Sequence, residues 1–184
     1  MKKILNTFSV LDLVIIALMA GLGLAMKPII VPLIHIITGP LFIPGGAVAG
    51  GFYMMWIIMG MALVRRHGTC TLVAVVQGVM VLIMGSIGNH GIASIITYAL
   101  PGICAEIPFF FKGKSEKDYN ILHYLCAGIC ANLAGTYGSN LLFFNLPLIP
   151  LLVSLSAAAI SGALGGIIAY NLSNTIGKHI KTGM

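Results

Sequence analysis

The sequence predicts an all-α integral membrane protein, a bundle of six transmembrane helices with both termini in the cytoplasm. Of its 184 residues, 59% are hydrophobic and only 8% are charged, whereas soluble domains carry about 25% charged residues. The chain divides into six apolar segments, and a helix needs roughly 20 apolar residues to span a hydrocarbon core. Nine of the ten Lys and Arg residues fall on one side of these segments, as expected for cytoplasmic loops.

The basic residues form four clusters, and only Lys27 lies apart from them. The clusters are Lys2 and Lys3; Arg65 and Arg66; Lys112, Lys114 and Lys117; and Lys178 and Lys181. A net charge of +6 raises the possibility of nucleic-acid binding, but basic clusters beside membrane segments set orientation and attract anionic lipid. We therefore expect a multi-pass protein of the cytoplasmic membrane that contacts the lipid bilayer and has no nucleic-acid partner.

The six helices are predicted within a single membrane domain that covers residues 1–184. Their approximate bounds are 10–26, 45–64, 70–85, 92–111, 121–144 and 151–172. The segment between Pro28 and Pro44 is apolar but interrupted by Pro32, Gly39 and Pro40. Irregular backbone at membrane depth is tolerated where protein buries it or a cavity is lined by it. We therefore expect an outer loop or a re-entrant segment there, with the first helix ending near residue 26.

Two of the predicted helices carry small residues at every fourth position. The first helix has Ala17, Gly21 and Ala25, and the sixth has Ala158, Gly162 and Gly166. Such a stripe allows the backbone of another helix to approach closely. For the sixth helix, packing within the protein's own bundle is the favoured interpretation. For the first helix, contact with a partner protein is a second possibility.

The sequence gives little support for an enzyme. It contains no Gly-x-x-x-x-Gly-Lys-Ser/Thr loop, no Gly-x-Ser-x-Gly elbow and no His-Glu-x-x-His motif. Glu106 is the one carboxylate well inside an apolar segment, where a basic partner or an interfacial position explains it at least as well as a function. Cys126 and Cys130 lie one helical turn apart, but buried cysteines mostly pack as small apolar residues. We expect no cofactor, no metal site and no catalytic residue.

Polar and aromatic side chains concentrate in the outer halves of the predicted helices. Each alone fits an interfacial belt or a turn, but together they are typical of a small-molecule pocket. The candidate substrate-binding residues are His35, Tyr53, Trp56, Gln77, Asn89, His90, Tyr98, Tyr137 and Asn140. His35 and His90 also allow a metal or haem interpretation, because imidazole is a common metal ligand. A solvated loop histidine is the simpler assignment for each.

Several runs of residues together match the pattern of a known family. They are Gly39-Pro40 through Gly45-Gly46, Gly51-Phe52-Tyr53, Arg65-Arg66-His67-Gly68, Gly88-Asn89-His90-Gly91, Ala105-Glu106 and Ile160-Ser161-Gly162-Ala163-Leu164. Through these runs the chain resembles S-components, the substrate-binding subunits of energy-coupling factor (ECF) transporters. Within that superfamily it is similar to the YkoE-like branch, which is associated with thiamin or its hydroxymethylpyrimidine precursor.

The resemblance implies a non-enzymatic membrane protein that captures a micronutrient, such as a vitamin, for an ABC-type importer. Its implied partners are a transmembrane coupling subunit and two ATPase subunits, which supply ATP hydrolysis. In such families a small-residue stripe on the first helix contacts the coupling subunit, and Ala17, Gly21 and Ala25 match that stripe.

The ligand class is less well determined by the resemblance. No Asp or Glu lies in an outer half of the predicted helices, and cation–π contacts alone contribute about 0.5–2 kcal/mol each. This weighs against thiamin, which is a cation, and favours neutral or anionic ligands. Haem is one of these, with His35 or His90 as a possible axial ligand. An integral membrane enzyme with a buried His or Glu, and a small channel, stay open as alternatives.

Overall fold

In the computed structural model, six α-helices cover most of the residues that the structure describes, which are 8–41, 43–85, 93–110 and 119–182. The helices are α1 (Val10–Thr38), α2 (Gly45–Val64), α3 (Thr69–Met84), α4 (Ala93–Phe110), α5 (Ile121–Ser139) and α6 (Leu148–Thr182). A short 3₁₀ turn, Gly39–Leu41, follows α1, and a turn of π-helix, Asn140–Phe144, follows α5. The predicted all-α, six-helix membrane bundle is confirmed.

Four of the described helices, α1, α2, α4 and α6, are long and apolar enough to cross a membrane. Helix α3 is apolar but has only 16 residues, or about 24 Å at 1.5 Å per residue. Many large apolar side chains face outward from the bundle. Val10, Ile83 and Ile149, for example, are each more than 70% exposed. In water such a surface would aggregate, so this surface is suited to contact with lipid.

Helix α1 continues well beyond its predicted end. The sequence prediction ended it near Met26 and expected an irregular segment before Pro44, whereas the helix runs through Pro28 and Pro32 to Thr38. That part of the prediction is wrong. Each proline removes one backbone hydrogen bond, but the other backbone groups still need partners inside a membrane, and a continued helix supplies them.

Helices α2, α3 and α4 lie close to their predicted bounds. Helix α2 has the predicted bounds, and α3 and α4 differ by one residue at each end. Helix α6 has 35 residues, or about 52 Å, and ends ten residues beyond the predicted residue 172.

Helix α2 lies at the centre of the bundle and packs against all five other described helices. Its glycines allow α5 and α6 to approach closely. A Cβ atom at Gly50 would lie 1.8 Å from Oδ1 of Asn132 on α5, and one at Gly51 would lie 2.0 Å from the carbonyl oxygen of Ser161 on α6. The Asn132 amide donates hydrogen bonds of 2.9 and 2.8 Å to backbone oxygens of α2 and α6. One buried side chain thus joins three helices.

The small-residue stripe of α6 packs inside the bundle. A Cβ atom at Gly162 would lie 2.3 Å from the carbonyl oxygen of Gly128, and one at Gly166 would lie 2.2 Å from the carbonyl oxygen of Tyr124. Ala158, the third member of the stripe, is fully buried. This close contact between α5 and α6 is the packing that the sequence favoured for the sixth helix.

Glu106, near the end of α4, caps the start of α3. Its carboxylate accepts hydrogen bonds from the backbone N–H of Gly68, from the N–H of Thr71 at 3.2 Å and from the Thr71 hydroxyl at 2.7 Å. The first N–H groups of a helix lack intrahelical partners and favour negative charge. Glu106 is 2% exposed, so an exposed interfacial position does not account for it. Its described partners are the donors at the start of α3.

Candidate ligand-binding site

A cavity of about 410 Å³ lies at the end of the bundle opposite Arg65 and Arg66. All six described helices contribute to its wall. They do so through the C-terminal parts of α1 and α5, the middle of α3, and the N-terminal parts of α2, α4 and α6. Ligand pockets usually enclose about 300–1,000 Å³. The cavity is therefore large enough for a small organic molecule.

Five of the nine predicted binding residues line this cavity, namely His35, Tyr53, Gln77, Tyr98 and Asn140. The extension of α1 carries His35 to the rim, beside the start of α2. The Tyr53 hydroxyl donates to the carbonyl oxygen of Gly46 at 3.0 Å, which fixes the ring in the wall. The side-chain oxygen of Asn140 accepts from the Leu146 N–H at 2.8 Å. A role for these five residues in binding stays a prediction.

The other four predicted residues are placed differently. Tyr137 is 48% exposed and lies outside the cavity lining, as does Trp56, which packs against the apolar core of the bundle. Asn89 and His90 fall outside the residues that the structure describes. The predicted roles of Asn89 and His90 in binding are therefore not tested.

Sequence reasoning also missed two cavity residues of α5, Thr136 and Ser139. Together with Asn140 they lie at positions i, i+3 and i+4, which share one face of a helix. Tyr137 is one residue further along from Thr136, and each residue turns the helix by about 100°. Helical periodicity applied to the fifth segment would have selected Thr136 and Ser139 in place of Tyr137.

The most distinctive residue of the cavity, Lys27, was also missed. Its Nζ atom donates a hydrogen bond of 2.6 Å to the Tyr98 hydroxyl. The same atom lies 4.4 Å from the ring centroid of Tyr98 and 5.5 Å from that of Tyr53. An ammonium over an aromatic face is attracted by the ring. The sequence already showed Lys27 as the one basic residue outside the four clusters, but an early helix end placed it in a loop.

Gln77 presents an unsatisfied amide beside the cavity. Gln77 is only 4% exposed, and its Nε2 atom has no hydrogen-bond partner in the described part of the chain. A buried polar group left unpaired costs about 1–3 kcal/mol. Gly23 on α1 makes room for this amide, because a Cβ atom there would lie 2.3 Å from Gln77 Nε2.

Among the described residues, the cavity has no carboxylate in its lining. Asp12 is engaged at the opposite end, in a 3.0 Å ion pair with Arg66, and Glu106 caps α3. No group of three or more His, Cys, Asp or Glu side chains that could hold a metal ion occurs within the described ranges. The fixed charge facing the cavity from the described residues therefore comes from the ammonium of Lys27.

The match to a protein-family model identifies the kind of protein. The model is described as the permease component of an ABC-type cobalt transport system and matches residues 11–134. The chain belongs to this permease family. No curated protein matches the chain.

A solved structure of another protein shares this fold. A crystal structure of an S-component of an ECF transporter superposes with a TM-score of 0.76, covering 96% of this chain and 94% of that chain at 17% sequence identity. The fold predicted for an S-component is thus confirmed, the family match places the chain among ABC-type transport proteins, and the chain is a multi-pass protein of the cytoplasmic membrane. The thiamin branch, haem and the orientation of the termini stay predictions.

The small-residue stripe of α1 faces outward from the bundle of this permease. Ala17 and Ala25 are exposed, and a Cβ atom at Gly21 would meet no described atom within 4 Å. Beside the stripe, an apolar groove of about 190 Å³ separates α1 from α3. Its lining residues are Gly21, Leu24, Ala25, Lys27, Pro28, Met80, Val81 and Met84. The stripes of α1 and α6 thus differ, since only the α6 stripe is buried in the bundle.

Proposed function

We propose that this protein is the high-affinity substrate-binding membrane subunit of an ECF-type ABC importer for a micronutrient. The cavity enclosed by all six described helices carries this proposal, because it combines apolar and aromatic walls with a few polar groups. The family and the fold support the same function. ATP hydrolysis then belongs to two partner ATPase subunits, and this subunit binds cargo without transforming it.

The packing beneath the cavity favours a binding protein over a channel. Toward Arg65, the centre of the bundle is filled by Ile58, Met61 and Phe109, each fully buried. Tyr124 packs edge-on against Phe109, with ring centroids 5.7 Å apart. A pore requires a continuous polar path, and this closely packed layer interrupts it. A cavity closed on one side is suited to holding a ligand until the protein changes its orientation or conformation.

The outward stripe of α1 supports docking to the transmembrane coupling subunit. Ala17, Gly21 and Ala25 leave the backbone of α1 accessible, and small residues allow a partner helix to approach closely in a membrane. The groove between α1 and α3 would receive a larger side chain of that partner. The groove and the cavity share only Lys27 in their linings, so docking and cargo binding use mostly different residues and meet at Lys27.

Two measurements test the proposed function. The first incubates the purified protein with the desalted small-molecule extract of a rich growth medium, removes free compounds, and identifies what denaturation releases. We expect one compound in stoichiometric amount. If the wild-type protein retains nothing, the cavity is not a cargo site. A Soret band in the loaded protein that shifts with His35→Ala would identify the cargo as haem.

The second measurement tests docking with Gly21→Trp, which we expect to abolish complex formation and uptake while cargo binding by the isolated subunit persists. A large side chain at this position would hold the partner helix away and remove its van der Waals contacts. The matched control is Leu33→Trp, since Leu33 is 59% exposed and lies about 120° around α1 from Gly21. Uptake that survives Gly21→Trp would place the docking surface elsewhere.

A further inference from the structure

We infer that the cargo is a small organic anion whose carboxylate, or similar oxyanion, binds to Lys27 inside the cavity. This inference rests on the proposed function and adds the chemical class of the cargo. It would exclude metal cations and thiamin, because both carry positive charge.

The position of Lys27 in the helix makes its charge unusual. Lys27 is the eighteenth residue of the 29-residue helix α1, about 26 Å from the helix start. Ionisable groups within a membrane-spanning helix are costly, and they usually have a partner or a function. An ammonium has three donors, and the Tyr98 hydroxyl takes one of them. The rings of Tyr53 and Tyr98 offset part of the charge.

No carboxylate compensates Lys27 in the described part of the chain. The two described acidic residues, Asp12 and Glu106, are engaged at the other end of the bundle. A buried charge without a counter-ion is strongly unfavourable. An anionic cargo would supply the missing counter-ion, and its charge-assisted hydrogen bond with Lys27 would be stronger than a neutral one.

A second unpaired donor, the amide of Gln77, lies near the same face of α1. Gly23 makes room for the unpaired Nε2 atom of Gln77, and Lys27 lies one helical turn further along α1, a rise of about 6 Å. Gly23 and Lys27 are four residues apart and therefore share a face of the helix. A carboxylate is a pure acceptor with two oxygens, so it matches the Lys27 ammonium. Gln77 also lines the cavity, and a rotation of its amide would let it donate to the same group.

A cation would meet the opposite situation at this position. Thiamin or a divalent metal ion would be repelled by the ammonium and would leave the charge of Lys27 uncompensated. Haem belongs to the anionic class, since it carries two carboxylates. The remainder of the cavity wall is mainly apolar and aromatic. The inferred cargo is therefore an amphipathic acid, with its acidic group against Lys27 and its apolar body among the side chains of α2, α4 and α5.

The experiment compares the compound retained from the growth-medium extract in four forms of the full-length protein. These are wild type, Lys27→Met, Lys27→Arg and the control Lys178→Met, which removes a charge at the opposite end of α6. We expect wild type and Lys178→Met to retain the same acid, detected as a negative ion. Lys27→Met should bind it about 10- to 150-fold more weakly, as for loss of a charged hydrogen bond, and Lys27→Arg should retain most of the binding.

The methyl ester of the retained acid provides a test that needs no variant. Esterification should weaken binding to wild type by a similar factor and should add little further loss in Lys27→Met, because both changes remove the same interaction. If Lys27→Met fails to fold, the ester comparison on wild type decides alone. Retention of a cationic or neutral compound, or equal binding of acid and ester, would overturn the inference and leave the proposed function intact. Retention of no compound by wild type would refute the proposed function itself.

Discussion

Gly21 and Gly162 occupy similar places in two stripes of small residues, yet they should respond in opposite ways to the same substitution. A Cβ atom at Gly162 would lie 2.3 Å from the carbonyl oxygen of Gly128, whereas one at Gly21 meets no described atom within 4 Å. Carbon atoms make their best contacts at about 3.5–4.0 Å. Alanine at Gly162 must therefore push α5 and α6 apart by about 1 Å, and alanine at Gly21 requires no movement.

The expected difference in the free energy of unfolding follows from these distances. Over-packing of a closely packed core costs about 1–3 kcal/mol. Separating α5 from α6 also stretches the 2.8 Å hydrogen bond from Asn132 to α6, which contributes about 0.5–1.5 kcal/mol. Both substitutions gain up to about 1 kcal/mol of helix propensity. Gly21→Ala should thus stabilise slightly, and Gly162→Ala should be less stable than Gly21→Ala by about 2–4 kcal/mol.

Reversible unfolding in mixed detergent micelles, followed by circular dichroism, measures this difference. The single tryptophan, Trp56, provides a second probe by fluorescence from the central helix. Wild type gives the reference for both variants. Equal stability of Gly21→Ala and Gly162→Ala would refute the reasoning, because it would mean that α5 and α6 do not meet at Gly162 as closely as described.

Further predictions concern the helix cap, the central amide and the orientation. Glu106→Ala should lower the free energy of unfolding by about 2–4 kcal/mol, because it leaves buried donors of α3 unpaired. Thr71→Val, the control, should lower it by only about 1 kcal/mol. Equal effects of the two substitutions would contradict the capping role. Asn132→Leu should lower the free energy of unfolding by about 2–4 kcal/mol, since it removes two hydrogen bonds and overfills the space beside α2. Unchanged stability in the same unfolding assay would exclude Asn132 as the link between α2, α5 and α6. In a background without native cysteines, an impermeant thiol reagent should label Asn145→Cys in intact cells and Arg66→Cys only after lysis. Labelling of both in intact cells would contradict the predicted orientation.

The helices were predictable because a membrane leaves few choices. An apolar run bounded by basic residues has to satisfy its own backbone, and only a helix does so within one segment. The end of α1 was not predictable by the same logic. Proline usually ends a helix in a soluble protein. Whether Pro28 and Pro32 do so in a membrane depends on the neighbouring helices. The part of α1 beyond Pro32 packs against the start of α2, where a Cβ atom at Gly45 would lie 2.9 Å from the Cβ atom of His35. Such a contact is not visible in local sequence.

The site was predictable only in outline. Polarity in the outer halves of the segments selected five residues of the cavity wall, but polarity alone also selected Tyr137, which faces outward. Gln77 stands out only because its Nε2 atom is unpaired in the assembled bundle. Lys27 stands out because its ammonium contacts the rings of Tyr53 and Tyr98 on two other helices. Such features arise from contacts between segments far apart in sequence. They become visible only once the helices are assembled.

The cap on α3 has a consequence for how the protein enters the membrane. Helix α3 has 16 residues, fewer than the roughly 20 that span a hydrocarbon core. The N–H groups of Gly68 and Thr71 at its start donate to a carboxylate from α4. During synthesis α3 emerges before α4, so its start has no such partner until α4 follows. We expect α3 and α4 to insert together as a hairpin, with Glu106 closing it. Insertion of α3 would then wait for α4, because Glu106 of α4 binds the N–H groups at the start of α3.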